Sequence, residues 1–200
     1  MGYIFYLMGK SSSGKDTIYK ELTGKKDFPL KTVTGYTTRP RRSGENQGVE
    51  YYFVDRSVYE NMRKKGIVIE SRDYNTVYGI WTYFTADDGQ IKLEKEDYIM
   101  MGTLESYEKV RNYYGREKVI PIYIEVEDGE RLLRAINREK KQSEPKYAEM
   151  CRRFLADTKD FSEENIKRYG IEKRYYNENI DLCIEEIYKD IMNKTGQDGR

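Results

Sequence analysis

Tyr3-Ile4-Phe5-Tyr6-Leu7-Met8-Gly9-Lys10-Ser11-Ser12-Ser13-Gly14-Lys15-Asp16-Thr17 is the stretch that decides how this chain folds. An unbroken apolar and aromatic run predicts a strand at 3–8 that is buried on both faces. The glycines and serines that follow predict a loop at 9–15. A helix then runs to about Leu22, before Gly24. The loop has the spacing G-x-x-x-x-G-K, the first seven positions of a P-loop. Two glycines let the backbone wrap so that several N–H groups converge on one anion, and the helix N-terminus adds its partial positive charge. Lysine then bridges the outer phosphates of a nucleoside triphosphate. The candidate phosphate-binding residues are Gly9, Ser11, Ser12, Ser13, Gly14, Lys15, Asp16 and Thr17. A Ser or Thr ordinarily follows the lysine and holds Mg²⁺. Here Asp16 stands there and Thr17 comes next, so both are candidate Mg²⁺ residues. Two readings of Asp16 stay open: it reaches the metal through water, or it faces solvent.

Downstream, the stretch 32–36 precedes a basic turn. Residues 49–54, 67–71 and 83–85 are rich in aromatic and β-branched side chains and predict strands. A helix lies between them, capped by Asp55 or Ser57 and stopped by Gly66. After Asp97 strands and helices alternate: a strand at 98–101, a helix at 104–114, and a buried strand at 119–126 whose Pro121 needs an edge or a bulge. Helices at 130–141 and 146–168 are separated by Ser143-Glu144-Pro145. A strand at 173–176 and a helix at 181–193 close the chain. This order predicts an α/β fold, a P-loop NTPase-type parallel sheet flanked by helices, interrupted by a mostly β inserted lobe.

Composition narrows the chemistry. The 200 residues include no histidine and two cysteines, which excludes imidazole catalysis and the usual zinc sites. Lys plus Arg number 36 and Asp plus Glu 35, so no overall field draws the chain to nucleic acid or a membrane. Cys151 and Cys183 form no motif, and a reduced, cytoplasmic setting is expected. The apolar run at 3–8 is too short for a signal segment or a span. Twenty tyrosines are either packing residues with a polar tip or the lining of a nucleotide pocket.

The basic turn carries the most specific pattern. Arg39 and Arg42, three apart, present two guanidinium forks suited to one anion such as a monophosphate, and Tyr51 and Tyr78 offer hydroxyls. The whole segment, Thr37-Thr38-Arg39-Pro40-Arg41-Arg42-Ser43-Gly44-Glu45-Asn46-Gln47-Gly48-Val49-Glu50-Tyr51-Tyr52-Phe53, resembles the nucleotide-binding signature of guanylate kinases. The resemblance extends more weakly over nearly the whole chain. It implies one domain over 1–200, with a core (1–33, 86–130, 158–200), a monophosphate-binding lobe (34–85) and a helical lid (131–157). It implies ATP and Mg²⁺ as cofactors and GMP as acceptor. It places Glu70 at the guanine-reading carboxylate, Glu45 near the reacting phosphates and Asn177 at the ATP site. Four departures stand out. Gly35 and Ile80 replace hydroxyl residues that donate to guanine O6, with Thr34 and Thr82 as nearby substitutes. Met101 and Thr103 replace two aspartates, with Glu105 or Asp16 left to compensate.

Arg131, Arg134 and Arg138 share one face of the predicted lid helix by their spacing, and Arg152 and Arg153 follow Pro145. The resemblance gives Arg134, Arg138 and Arg153 the task of neutralising the transferring phosphoryl group. The expected catalytic set is therefore Lys15, Arg39, Arg42, Arg134, Arg138 and Arg153. The expected acceptor set is Thr34, Arg39, Arg42, Glu45, Tyr51, Glu70, Tyr78 and Thr82. The expected activity is phosphoryl transfer from ATP to GMP by a monomer or weak homo-oligomer. Two alternatives stand beside it: a same-fold kinase for another nucleotide or a sugar phosphate, and a non-catalytic module that binds phosphorylated peptides.

Overall fold

The computed structural model describes residues 2–76 and 79–196. Its main sheet is parallel, with β1 (Ile4–Gly9) at the centre. On one side lie β7 (Tyr98–Met101) and then β2 (Lys31–Thr32); on the other lie β8 (Val119–Glu125) and then β9 (Arg174–Tyr176). Period-2 alternation sends the central strand into two cores. Ile4, Tyr6 and Met8 pack with Tyr107 and Val110 of α3 (Leu104–Tyr114). Phe5 and Leu7 pack with Ile18 of α1 (Lys15–Gly24) and Ile187 of α7 (Ile180–Thr195). Helices thus cover both faces, as a parallel sheet requires.

Pro121 lies inside the sheet without breaking it. The Lys118 carbonyl accepts from the Ile4 N–H, and the Glu125 carbonyl accepts from the Asn177 N–H. Even residues of β8 therefore bond toward β1 and odd ones toward β9. Pro121 points to the β9 side, but pairing there begins only at Tyr123. Its missing donor meets no strand.

The second sheet is the inserted one, ordered β4 (Tyr52–Phe53), β3 (Tyr36–Thr37), β6 (Gly79–Ala86), β5 (Val68–Thr76). The stretch 32–36 divides between the two sheets, so the chain crosses from one to the other at 33–35. The strand expected at 49–54 shrinks to two residues because a turn intervenes, with Gly48 at φ 77° and its N–H on the Tyr51 carbonyl. The other two strands are longer than expected. Arg72, Asp73 and Asn75 look like loop residues in sequence, yet each sits in an antiparallel pair with β6. Helix α2 (Arg56–Lys64) follows Asp55.

Helices α4 (Asp128–Lys140) and α5 (Tyr147–Asp160) pack together. The single helix expected at 146–168 is in fact two. Phe161 turns into the core, and Ser162 Oγ accepts from the Asn165 N–H to start α6 (Glu163–Arg168). The tyrosine excess is largely packing. Tyr6, Tyr59, Tyr98, Tyr107, Tyr123 and Tyr175 are buried. Burial pushes the Tyr6 phenol far above its ordinary value, and its hydroxyl donates to Ser106 Oγ at 2.8 Å.

Ile187 is fully buried between α7 and the sheet. Ile187→Ala is expected to lower the unfolding free energy by about 2–5 kcal/mol in a urea titration. Asn179 Oδ1 accepts from the N–H groups of Asp181 and Leu182. Asn179→Ala, which removes this cap, is expected to cost only about 1 kcal/mol.

Candidate functional site

The C-terminal end of β1 delivers residues 9–15 to the mouth of a cleft of about 1960 Å³ between the two sheets and the α4–α5 pair. Two contacts shape this loop from below. Gly14 sits at φ 85°, and a Cβ there would lie 2.3 Å from Asn177 Nδ2. That amide donates to the Ser13 carbonyl at 2.8 Å. Only glycine fits above the asparagine in this left-handed conformation. Ser12 Oγ and Ser13 Oγ are buried and have no hydrogen-bond partner among the described residues. Lys15 Nζ lies 2.6 Å from Asp16 Oδ1 and 3.8 Å from Met101 Sδ. Burial works to raise the Asp16 carboxyl, but Lys15, Lys20 and Arg138 outweigh it and hold it below its ordinary value. A cradle of unpartnered donors and a lysine, at the start of a helix, is arranged to accept phosphate.

A charged network ties this loop to the helical pair. The Ser11 N–H donates to Asp157 Oδ2 at 2.7 Å, so that amide is turned to α5 rather than into the cradle. Arg131 is almost fully buried; it bridges Asp128 and the Ser11 carbonyl and stacks over Phe154 at 4.1 Å. This corrects the expected arginine face. Arg131, Ala135 and Glu139 form the inward side of α4, while Arg134 and Arg138 line the cleft. Arg152 and Arg153 face it from α5. Arg134 is held by Glu130 Oε1 at 2.9 Å and by the Asn177 carbonyl at 3.0 Å.

The opposite wall comes from the second sheet. Thr34, Tyr51, Glu70, Arg72 and Thr85 line it. Glu70 is buried; its Oε1 accepts from Thr85 Oγ1 at 2.8 Å and its Oε2 from Arg72 Nε at 3.2 Å. Four expected residues are not on the wall. Thr82 is fully buried on the other face of β6, where it donates to Asp73 and accepts from Arg56, because strand alternation turns it away from Thr85. Arg39 is buried, with its fork bidentate on Glu45 at 2.9 Å and its Nε on Tyr83 Oη at 3.0 Å. A buried guanidinium needs its carboxylate, so Arg39 and Glu45 satisfy each other. Arg42 is exposed and contributes its backbone N–H to Glu45. Asn177 stands beneath the loop, not in the cleft, and Glu105 is paired with Lys109 on α3. Tyr78 lies outside the described residues.

Three participants were missed from the sequence: Arg72, Asp157 and Thr85. A basic residue two positions after Glu70 in a strand was the available sign for Arg72, since it must share the Glu70 face. Nothing local marks Asp157, because its partner is 146 residues away. Thr103 caps α3 with Ser106 and accepts from Arg72 Nη1 at 3.0 Å. Among the described residues no three acidic, histidine or cysteine side chains cluster as a metal site. No described helix is long and apolar enough to cross a membrane.

A parallel sheet whose central strand hands a glycine-rich loop to a helix, beneath a basic cleft, defines a P-loop-type α/β phosphate-binding protein. The sequence profile of the guanylate kinases matches residues 3–175, and the chain belongs to that family. It is 38% identical over 79 residues to a guanylate kinase of Clostridioides difficile (strain 630), covering 39% of this chain and 38% of that one. It is 26% identical over 199 residues to a guanylate kinase of Malacoplasma penetrans (strain HF-2), covering 96% and 90%. The match thus spans well under half of the first relative and nearly all of the second. The fold is similar to the crystal structure of guanylate kinase from Anaplasma phagocytophilum, with a TM-score of 0.66 at 20% identity over 96% of this chain and 86% of that one.

The Arg39 pair, with the Arg42 N–H, holds the Glu45 carboxyl down at about 2. A carboxyl lowered on folding stabilises the protein above its unfolded value near 4.5 and loses that contribution as pH falls toward 2. Urea midpoints measured across this window are expected to fall with acid, and less steeply in Glu45→Gln.

Proposed function

We propose that the protein transfers the γ-phosphoryl group of ATP to the phosphate of a nucleoside monophosphate, GMP, giving ADP and GDP. One observation carries this reading: a phosphate cradle and a buried carboxylate, Glu70, stand on the walls of one cleft. Family membership supports it. The lobe at 34–85 holds the acceptor, and the helical segment 131–157 is the lid over the donor.

The reaction asks little covalent chemistry of the protein. An acceptor phosphate oxygen, already ionised near neutral pH, forms the new bond to phosphorus as the bond to the ADP oxygen breaks. No histidine is needed to remove a proton. The cradle amides and Lys15 hold the donor phosphates in line. Arg134, Arg138 and Arg153 neutralise charge on the moving group, and closure over it excludes water. Glu70 has lone pairs beyond those taken by Thr85 and Arg72, enough to accept from guanine N1–H and the 2-amino group. Tyr51 offers its hydroxyl to the acceptor side. Arg39 and Glu45 act as a brace behind Tyr83, leaving the exposed Arg42 side chain to meet the acceptor phosphate.

Asp16 and Thr17 offer oxygen, the atom type a hard cation takes, whereas Met101 offers sulfur. Mg²⁺ therefore fits beside Asp16 and Thr17, where it would draw negative charge from the donor phosphates.

Lys15→Ala is expected to reduce kcat/KM by about a thousandfold or more in a coupled ADP-release assay. Retention of wild-type turnover would refute the mechanism. Glu70→Gln is expected to raise the KM for GMP by about tenfold or more while leaving that for ATP nearly unchanged. Equal changes in both would remove Glu70 from the base site. A panel of GMP, AMP, UMP and sugar phosphates decides the acceptor class, with GMP expected to lead.

A further inference from the structure

We propose that Arg72 is a specificity-determining residue that donates a hydrogen bond to the 6-oxo group of the acceptor purine, an inference that rests on the guanylate-type reading above. Alternation along β5 puts Arg72 on the same side as Glu70, and both line the cleft. The Glu70 side chain is 1% exposed and that of Arg72 19%, so Arg72 is the more open member of the pair. Two anchors fix its plane: Nε donates to Glu70 Oε2 at 3.2 Å, and Nη1 donates to Thr103 Oγ1 at 3.0 Å. Nη2 makes no hydrogen bond among the described residues.

The residues expected to donate at that position are replaced or engaged elsewhere. Gly35 and Ile80 carry no hydroxyl. Thr34 Oγ1 is committed to the Gly48 carbonyl at 3.3 Å, and Thr85 Oγ1 to Glu70. Thr82 faces away from the cleft.

Guanine presents its 2-amino group, N1–H and 6-oxo oxygen in sequence along one edge. Two donors face the Glu70 oxygens, and the acceptor falls next to them, where a guanidinium bonded to the same carboxylate has hydrogens to give. Adenine would bring an amino group against Arg72 and an unprotonated N1 against Glu70, a mismatch at both positions. The substrate class is therefore the 6-oxopurine nucleoside monophosphates.

The test compares GMP with 6-thioguanosine monophosphate, which keeps N1–H and the 2-amino group but puts a weakly accepting sulfur at position 6. Wild type is expected to prefer GMP. Arg72→Met is expected to lower kcat/KM for GMP by about ten- to a hundredfold. It is expected to bring the preference for GMP over the thio analogue to within about twofold, with the KM for ATP unchanged. If Arg72 only positions Glu70, both acceptors fall together and the preference survives, which overturns the inference. Should Arg72→Met misfold because Glu70 is left unpaired, Glu70→Gln/Arg72→Met read against Glu70→Gln applies the same criterion with no unpaired charge. A wild-type enzyme that phosphorylates other acceptors but neither GMP nor inosine monophosphate overturns the guanylate reading together with the role of Arg72. Use of GMP with an unaltered preference in the variants overturns the role of Arg72 alone.

Discussion

The phosphate loop depends on one close approach: a glycine with no Cβ lying over the amide of an asparagine from the far edge of the sheet. Asn177 follows β9, which pairs with the last residues of β8, and β8 pairs with β1. The order of three strands thus places an amide under the loop that leaves the first of them. Its hydrogen bond to the Ser13 carbonyl fixes a loop whose hydroxyls, at Ser12 and Ser13, find no partner among the described residues. A loop that stores unpaired donors in this way is stabilised by an anion that satisfies them.

The same loop anchors the helical pair. Asp157 takes the Ser11 N–H, Arg131 takes the Ser11 carbonyl, and Lys10 reaches Asp128 at 3.2 Å. Because Arg131 is buried, its pairing with Asp128 and its stacking on Phe154 are obligatory rather than optional. Helices α4 and α5 are therefore tied directly to the loop that forms the cradle. Three cations that line the cleft, Lys15, Arg72 and Arg134, each rest against a carboxylate. Carboxylates thus accompany the cations of the cleft, in keeping with a net charge of +1 for the whole chain.

The second sheet shows the limits of reading local pattern. Its strands carry Arg72, Asp73 and Asn75 because one face meets the cleft and the other meets Arg56 and Tyr59. The apolar cluster around Tyr59, Phe84 and Ala86 leaves 71–75 with mostly polar partners, so the sequence there hides the strand. The arginines of the basic turn illustrate the converse. Arg39 and Arg42 look equivalent in sequence, yet one is a buried brace on Glu45 and the other is exposed.

What the sequence by itself determined is the central strand, the phosphate loop, the parallel α/β order and the family, because each rests on spacing within a short stretch or on a contiguous signature. The candidate residues from Gly9 to Thr17, with Thr34, Tyr51, Glu70, Arg134, Arg138 and Arg153, all meet at one cleft. Tertiary structure alone decided which charges face that cleft and which hold each other. The turning away of Thr82, the pairing of Arg39, the Asp157 clamp and the placing of Arg72 beside Glu70 each involve partners on other elements. A side chain's spacing sets its face of a strand or helix, but desolvation and the partners packed against that face decide whether it is free to meet a ligand.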